Sequence, residues 1–174
     1  MTDLADQLRP ITAEEWPRFV RAMSTTFGEE ATGPFLDEPS PIAELDRSLG
    51  LFDGERVAAT SGIYSLEMSV PGGVVPTAGI TWITVAPTHR RRGVLTAIMR
   101  RQLAEVRAAG REPVAALWAA ESSIYGRFGY APASWRGGWT GAVERLRLRP
   151  DDLVASPVTA PATGSRWRTV VHAR

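Results

Sequence analysis

Val85-Ala-Pro-Thr-His-Arg-Arg-Arg-Gly-Val-Leu-Thr96 separates a β-branched run from an amphipathic helix. Residues 74–85 are rich in Val, Thr and Ile and end just before Pro87, so they read as a strand. Beyond the arginines, Leu95, Ile98, Met99, Leu103 and Val106 recur at three- and four-residue spacing. They mark the inner face of a long helix that Gly110 closes. A helix start presents unpaired N–H groups and the positive end of a dipole, and both suit a phosphate. Gly93 lacks a Cβ, so a pyrophosphate can approach the backbone closely, and Arg90 and Arg91 add charge. A solvated basic loop or an RNA-binding patch would carry the same arginines. The position between strand and helix favours phosphate.

Working outward, residues 7–11 form a short first strand. Thr12-Ala-Glu-Glu15 has the form of a capping box, and Trp16, Phe19, Val20, Met23 and Phe27 follow on one helical face. Residues 28–39 are loop-like, and Ser40-Pro41 starts a second short helix. Residues 49–70 read as a hairpin around Asp53-Gly54, with Pro71-Gly72-Gly73 as the next turn. On the other side, residues 114–118 suit a buried central strand, residues 122–128 a short helix, and residues 132–148 have strand character. From Arg149 the composition turns to Pro, Ala, Thr and Ser, a linker, before residues 167–171 begin an element that the chain does not finish. The order predicts an α/β (α+β) domain over residues 1–148, a mixed central sheet flanked by helices. Residues 149–174 are expected to be linker or an incomplete element.

A chain of 174 residues suits one domain with a proper core. The net charge of +1 argues against nucleic acid or a membrane as partner. All of the 20 basic residues are arginine, a bias that a GC-rich coding sequence explains without selection. The absence of cysteine excludes disulfides, thiolate metal sites and a cysteine nucleophile, and no metal is expected. No apolar run approaches the roughly 20 residues of a membrane span, and acids stand where an export signal carries bases. The expected location is the cytoplasm, with secretion left open. Homo-oligomerisation is compatible with everything above.

The segment Arg90-x-x-Gly93 resembles the acetyl-CoA signature of the GNAT superfamily of N-acetyltransferases, Arg/Gln-x-x-Gly-x-Gly/Ala, and the element order is similar to that fold. Leu95 departs from the usual Gly or Ala. Within the superfamily, Val85-Ala-Pro-Thr-His-Arg-Arg-Arg-Gly93 together with Ile124-Tyr-Gly-Arg-Phe-Gly-Tyr130 resembles the enhanced intracellular survival (Eis) proteins, which tolerate leucine there. The likeness covers roughly residues 8–148. It implies acetyl-CoA contacts at Ile83, Thr84 and Val85, pyrophosphate contacts at Arg90, Arg91, Arg92, Gly93, Val94, Leu95 and Thr96, and further contacts at Ala120 and Glu121. The strand edge would pair with the pantetheine amides and aim an N–H at the thioester oxygen.

Acetyl transfer to an amine needs proton removal from an ammonium of pKa near 10 and protonation of the departing thiolate. By resemblance Tyr125 is the general acid; from its residue type alone, a packed aromatic with a satisfied hydroxyl fits as well. Tyr130 reads as packing. The Eis-like proteins use a C-terminal carboxylate as base, delivered by further domains, and no residue here matches it. Glu29 and Glu30 either line an amine pocket or lie in a solvated loop. His89 and His172 have no motif support as bases. The sequence therefore predicts acetyl transfer from acetyl-CoA by direct attack in a ternary complex. The acceptor is a small-molecule amine such as an aminoglycoside, or a lysine side chain. A non-catalytic CoA-binding or assembly domain of a longer protein is the alternative, and residues 1–174 alone are expected to turn over poorly.

Overall fold

Two long strands joined by a tight turn carry the rest of the molecule. The computed structural model describes residues 7–33, 36–119, 121–135 and 168–173. In chain order the elements are β1 (Leu8–Pro10), α1 (Trp16–Phe27), β2 (Leu49–Asp53), β3 (Arg56–Val70), β4 (Gly73–Val85), α2 (Val94–Ala109), β5 (Val114–Ala119), β6 (Tyr130–Trp135) and β7 (Arg168–Ala173). They form one sheet in the order β1-β2-β3-β4-β5-β7-β6. Every pairing is antiparallel except β4 with β5, and that parallel step needs a crossover, which α2 supplies. The class is α/β (α+β), a mixed sheet flanked by helices.

The two faces of the sheet carry different helices. Trp16, Phe19, Val20 and Met23 of α1 pack with Phe52, Val57 and Trp82. Met99 and Val106 of α2 pack with Ile63, Ala78, Ile80 and Leu117, while Val94, Ala97 and Ile98 pack with Leu51 and Ala58. Adjacent residues such as Phe52 and Leu51, or Val57 and Ala58, therefore face opposite helices, as strand alternation requires. Glu15 ties β1 to α1. Its carboxylate accepts two bonds from Arg9, at 2.7 and 2.6 Å, one from Arg18 at 2.6 Å and one from the Thr12 N–H at 3.1 Å.

Several local expectations are corrected. The capping box forms by half: Glu15 reaches back to the Thr12 N–H, but no side chain caps α1, whose start at Trp16-Pro17 is set by proline in the first turn. Ser40-Pro41 starts only a turn, closed by Ala43 N–H to the Ser40 carbonyl, and a single 3-10 turn follows at Leu45–Arg47. That segment lacks a periodic apolar face to hold a longer helix down. Residues 122–128 are two 3-10 turns, Ser122–Ile124 and Gly126–Phe128, rather than one helix. Residues 168–173 do not begin a separate element: they form β7, inserted between β5 and β6. The strand expected over residues 132–148 is seen as Tyr130–Trp135; its remainder, and the boundary near residue 148, lie outside the described residues.

A β-bulge breaks the β3–β4 ladder. Thr60 pairs with Thr84 and Gly62 with Thr81, so Trp82 and Ile83 stand opposite Ser61 alone. Trp82 takes the left-handed backbone, φ 55°. For a bulky residue this costs about 1–3 kcal/mol. Three edge-on aromatic contacts offset it, with Trp16 at 5.6 Å, Phe19 at 6.0 Å and Tyr64 at 5.0 Å between ring centres. Gly62 leaves room for the indole; a Cβ there would come within 2.7 Å of it. The Trp82 carbonyl at the bulge accepts the buried Thr60 hydroxyl at 2.6 Å, and Thr84 Oγ1 lies 2.6 Å from the same hydroxyl.

Thr60→Val is isosteric but removes that hydroxyl bond, so it should destabilise the fold by about 0.5–1.5 kcal/mol, with Thr60→Ser losing much less; a urea melt of both variants measures this. Glu15, held down to about pKa 2 chiefly by Arg9, makes a second prediction. Its contribution is complete above the ordinary carboxylate pKa of about 4.3 and is lost as pH falls toward 2. Acid titration of stability should therefore flatten over that window in Glu15→Gln.

Candidate active site

The parallel pairing of β4 and β5 ends at Ile80 opposite Leu117, although β4 continues to Val85 and β5 to Ala119. The bulge lies immediately beyond that last pair. The two strands thus form a fork, with β4 groups beyond Ile80 released from β5. A cleft of about 720 Å³ occupies it. Ile80, Thr81, Trp82 and Ile83 line one wall and Ala116, Leu117 and Trp118 the other. Tyr64 and Leu66 of β3 form the floor with Gly79. Phe27 and Glu29 border the cleft from the end of α1, and Glu121, Ile124 and Tyr125 from the segment after β5.

Tyr125 is placed by its backbone. Its N–H donates to the Ser122 carbonyl, and its own carbonyl accepts from Phe128 at 2.9 Å and Tyr130 at 3.4 Å. Gly129, φ 88°, then reverses the chain into β6. The ring is buried edge-on against Tyr130, 6.1 Å between centres. Burial pushes the Tyr125 hydroxyl above its usual pKa, so it holds its proton at neutral pH. Burial raises Tyr130 as well, with the neighbouring Tyr125 adding to it. Only Tyr125 reaches the cleft; Tyr130 packs, as its residue type suggested.

The arginine segment sits at the far end of β4. Residues Pro87–His89 make a 3-10 turn, fixed by the Ala86 N–H to the Ala58 carbonyl at 2.8 Å. Arg90 Nε donates to the Val85 carbonyl at 3.2 Å and so ties the loop back to the strand it leaves. Arg91 at φ 59° and Gly93 at φ 83° both adopt the left-handed conformation, and α2 begins with no side-chain cap. The first helical bond is Ala97 N–H to the Gly93 carbonyl, so the N–H groups of Val94, Leu95 and Thr96 have no partner within the helix. Arg91 and Arg92 are exposed and make no ion pair among the described residues. Open N–H groups beside exposed arginines are the chemistry that suits an anion.

The structure divides the residues expected from sequence into distinct sets. Ile83, Glu121 and Tyr125 meet in the cleft. At the start of α2 the backbone is open rather than the side chains, because Val94 is buried and Leu95 packs on the core, with Gly93 and Thr96 on either side of them. The Thr84 hydroxyl is engaged with Thr60, and Val85 contributes its carbonyl to Arg90. Ala120 lies outside the described residues. Of the two acids weighed for the amine pocket, Glu29 lines the cleft and Glu30 does not. Glu121 is exposed and accepts from Ser123 Oγ at 2.9 Å. Sequence reasoning missed Tyr64, Trp82 and Trp118. Trp82 had one available signal, a tryptophan interrupting a β-branched run. Among the described residues no cluster of His, Asp or Glu is placed to hold a metal, and no helix is long and apolar enough to cross a membrane.

Residues 7–133 match the family model described as an acetyltransferase (GNAT) domain. A relative from Streptomyces avermitilis, named as an uncharacterized N-acetyltransferase, is 45% identical over 148 residues, 84% of this chain and 36% of its own length. The N-acetyltransferase Eis of Mycobacterium bovis is 40% identical over 132 residues, 71% of this chain and 32% of the relative. Among solved structures, Eis1 from Mycobacterium abscessus superposes with a TM-score of 0.65 at 36% identity, covering 78% of this chain and 33% of that one. The chain spans about a third of the length of these relatives. On the match across most of its length and the forked sheet that the match covers, the chain belongs to the GNAT family and is Eis-like within it.

Proposed function

We propose that this chain forms the acetyl-CoA half of an N-acetyltransferase acting on a primary amine. One observation carries the reading: a single strand, β4, leads from an uncapped helix start at Gly93 into a cleft walled by a protonated tyrosine. The N–H groups of Val94, Leu95 and Thr96, with Arg91 and Arg92, hold the pyrophosphate. The β4 edge from Thr81 to Val85, unpaired toward β5, accepts the pantetheine amides as a strand would. Attack of a neutral amine on the thioester carbon forms a C–N bond and breaks the C–S bond; Tyr125 gives the departing thiolate its proton and is reprotonated, through solvent, by the proton that the acylated nitrogen sheds. Glu29 and Glu121 give the cleft mouth negative charge, which attracts a cationic acceptor; an aminoglycoside-like polyamine and a lysine side chain are both of that class.

Acetyl-CoA at 100 times its Kd should stabilise the chain by about 2.7 kcal/mol, a Tm rise of roughly 5–10 °C for this size. Gly93→Glu should abolish the rise, because a side chain and a like charge enter the phosphate site. It also strains a left-handed position, so calorimetric titration on the folded variant must show the same loss. An undiminished response would place the phosphates elsewhere.

Tyr125→Phe keeps the ring and removes the proton. In a turnover assay of the full-length protein, the chemical step should slow by about 100-fold or more, while acetyl-CoA affinity and stability change little. Equal loss of cofactor binding would make Tyr125 a ligand contact instead of the acid.

A further inference from the structure

The β3–β4 hairpin runs past both of its neighbours. β2 covers β3 only through Ser61, and β5 covers β4 only from Thr77 onward. Residues 66–76 therefore project as a two-stranded ribbon, closed by Pro71-Gly72 with Gly72 at φ 93°. A two-residue loop makes Val70 and Gly73 a hydrogen-bonded pair, so Val70, Met68 and Leu66 direct their backbone groups at β4. Ser65, Glu67 and Ser69 then direct theirs outward. Ser65 confirms the phase, because its N–H is taken by the Glu44 carboxylate rather than by β4. Among the described residues no strand pairs with the outward groups of Glu67 and Ser69. Such an edge is normally guarded by lysine, proline or a bulge. This one has a regular register from Gly62 to Val70, and Leu66 and Val74 are exposed, by 47% and 58%.

We propose that this edge binds a second copy of the chain, with residues 66–70 of each copy pairing antiparallel about a two-fold axis through Met68. The paired segment begins at Leu66, which also lines the cleft, and runs away from it toward the Pro71-Gly72 turn. Self-pairing centred on Met68 sets Glu67 against Ser69 of the second copy. That pair exchanges N–H···O=C bonds in both directions, and the symmetry repeats it, so every outward backbone group of the segment is satisfied. The same register keeps Glu67 away from its own copy and gives it a hydroxyl neighbour, whereas centring on Glu67 would oppose two carboxylates. Leu66 then faces Val70 and Met68 faces Met68, which gathers six apolar side chains on one face. The segment is self-complementary in backbone phase, in charge and in apolar pattern at once.

Sedimentation equilibrium of the chain should show a monomer–dimer equilibrium with a dissociation constant of about 100 µM, weak because the interface is small. Ser69→Pro removes only an outward N–H, a change that edge strands tolerate. It should abolish the dimer with an unchanged circular dichroism spectrum. At low salt, Ser69→Arg should tighten association and Ser69→Glu weaken it, at least tenfold apart, because position 69 faces Glu67. Since the chain has no cysteine, Met68→Cys alone should yield an oxidised dimer on a non-reducing gel. A monomer at millimolar concentration overturns the proposal. So does a dimer that survives Ser69→Pro or fails to cross-link through position 68.

Discussion

The bond from the buried Thr60 hydroxyl to the Trp82 carbonyl is the constraint on which the site depends. A regular β4 would carry its ladder with β3 to the end and stay in step with β5. The extra residue at Trp82 shifts the strand's phase, so that Ile80 and Ile83 both face α2 with two residues rather than one between them. The strand bends there, and β5 cannot follow. Thr60 adds a buried hydroxyl bond to the Trp82 carbonyl at the bulge, worth about 0.5–1.5 kcal/mol. Gly62 makes space, and the Trp16–Phe19–Tyr64 box holds the indole. The fork is thus built into the core rather than left to a loop.

The two chemical demands of the proposed reaction fall along the C-terminal half of β4 and just beyond it, at the cleft beside residues 80–83 and at the helix start after Val85. Phosphate recognition needs free backbone N–H groups and little side-chain bulk, and the left-handed residues at 91 and 93 present an uncapped helix for it. Proton donation needs a hydroxyl kept neutral by burial but open on one side, which is the setting of Tyr125.

Much of the scaffold was legible because it rests on local patterns. The apolar spacing from Leu95 to Val106, the Asp53-Gly54 and Pro71-Gly72 turns, and the helix stop at Gly110 each have a local physical cause. The glycine-led start of α2 after the arginines was legible for the same reason. The fork was not, because a bulge depends on residues such as Thr60 and Gly62, which stand about 20 positions before Trp82 and carry no periodic mark. β7 was unreadable as a sheet member, since its partners β5 and β6 are set by long-range pairing. Ser40-Pro41 misled in the other direction: a good helix start has little force without an apolar face behind it.

Amide hydrogen exchange on the chain with and without acetyl-CoA tests the central claim most directly. If the fork and the α2 start together hold the cofactor, protection should rise in two patches, residues 81–85 of β4 and residues 93–96, with the outer strands β1 and β2 unchanged. Protection confined to residues 93–96, or none in β4, would contradict the account, because the strand edge that the bulge exposes would then have no part in binding.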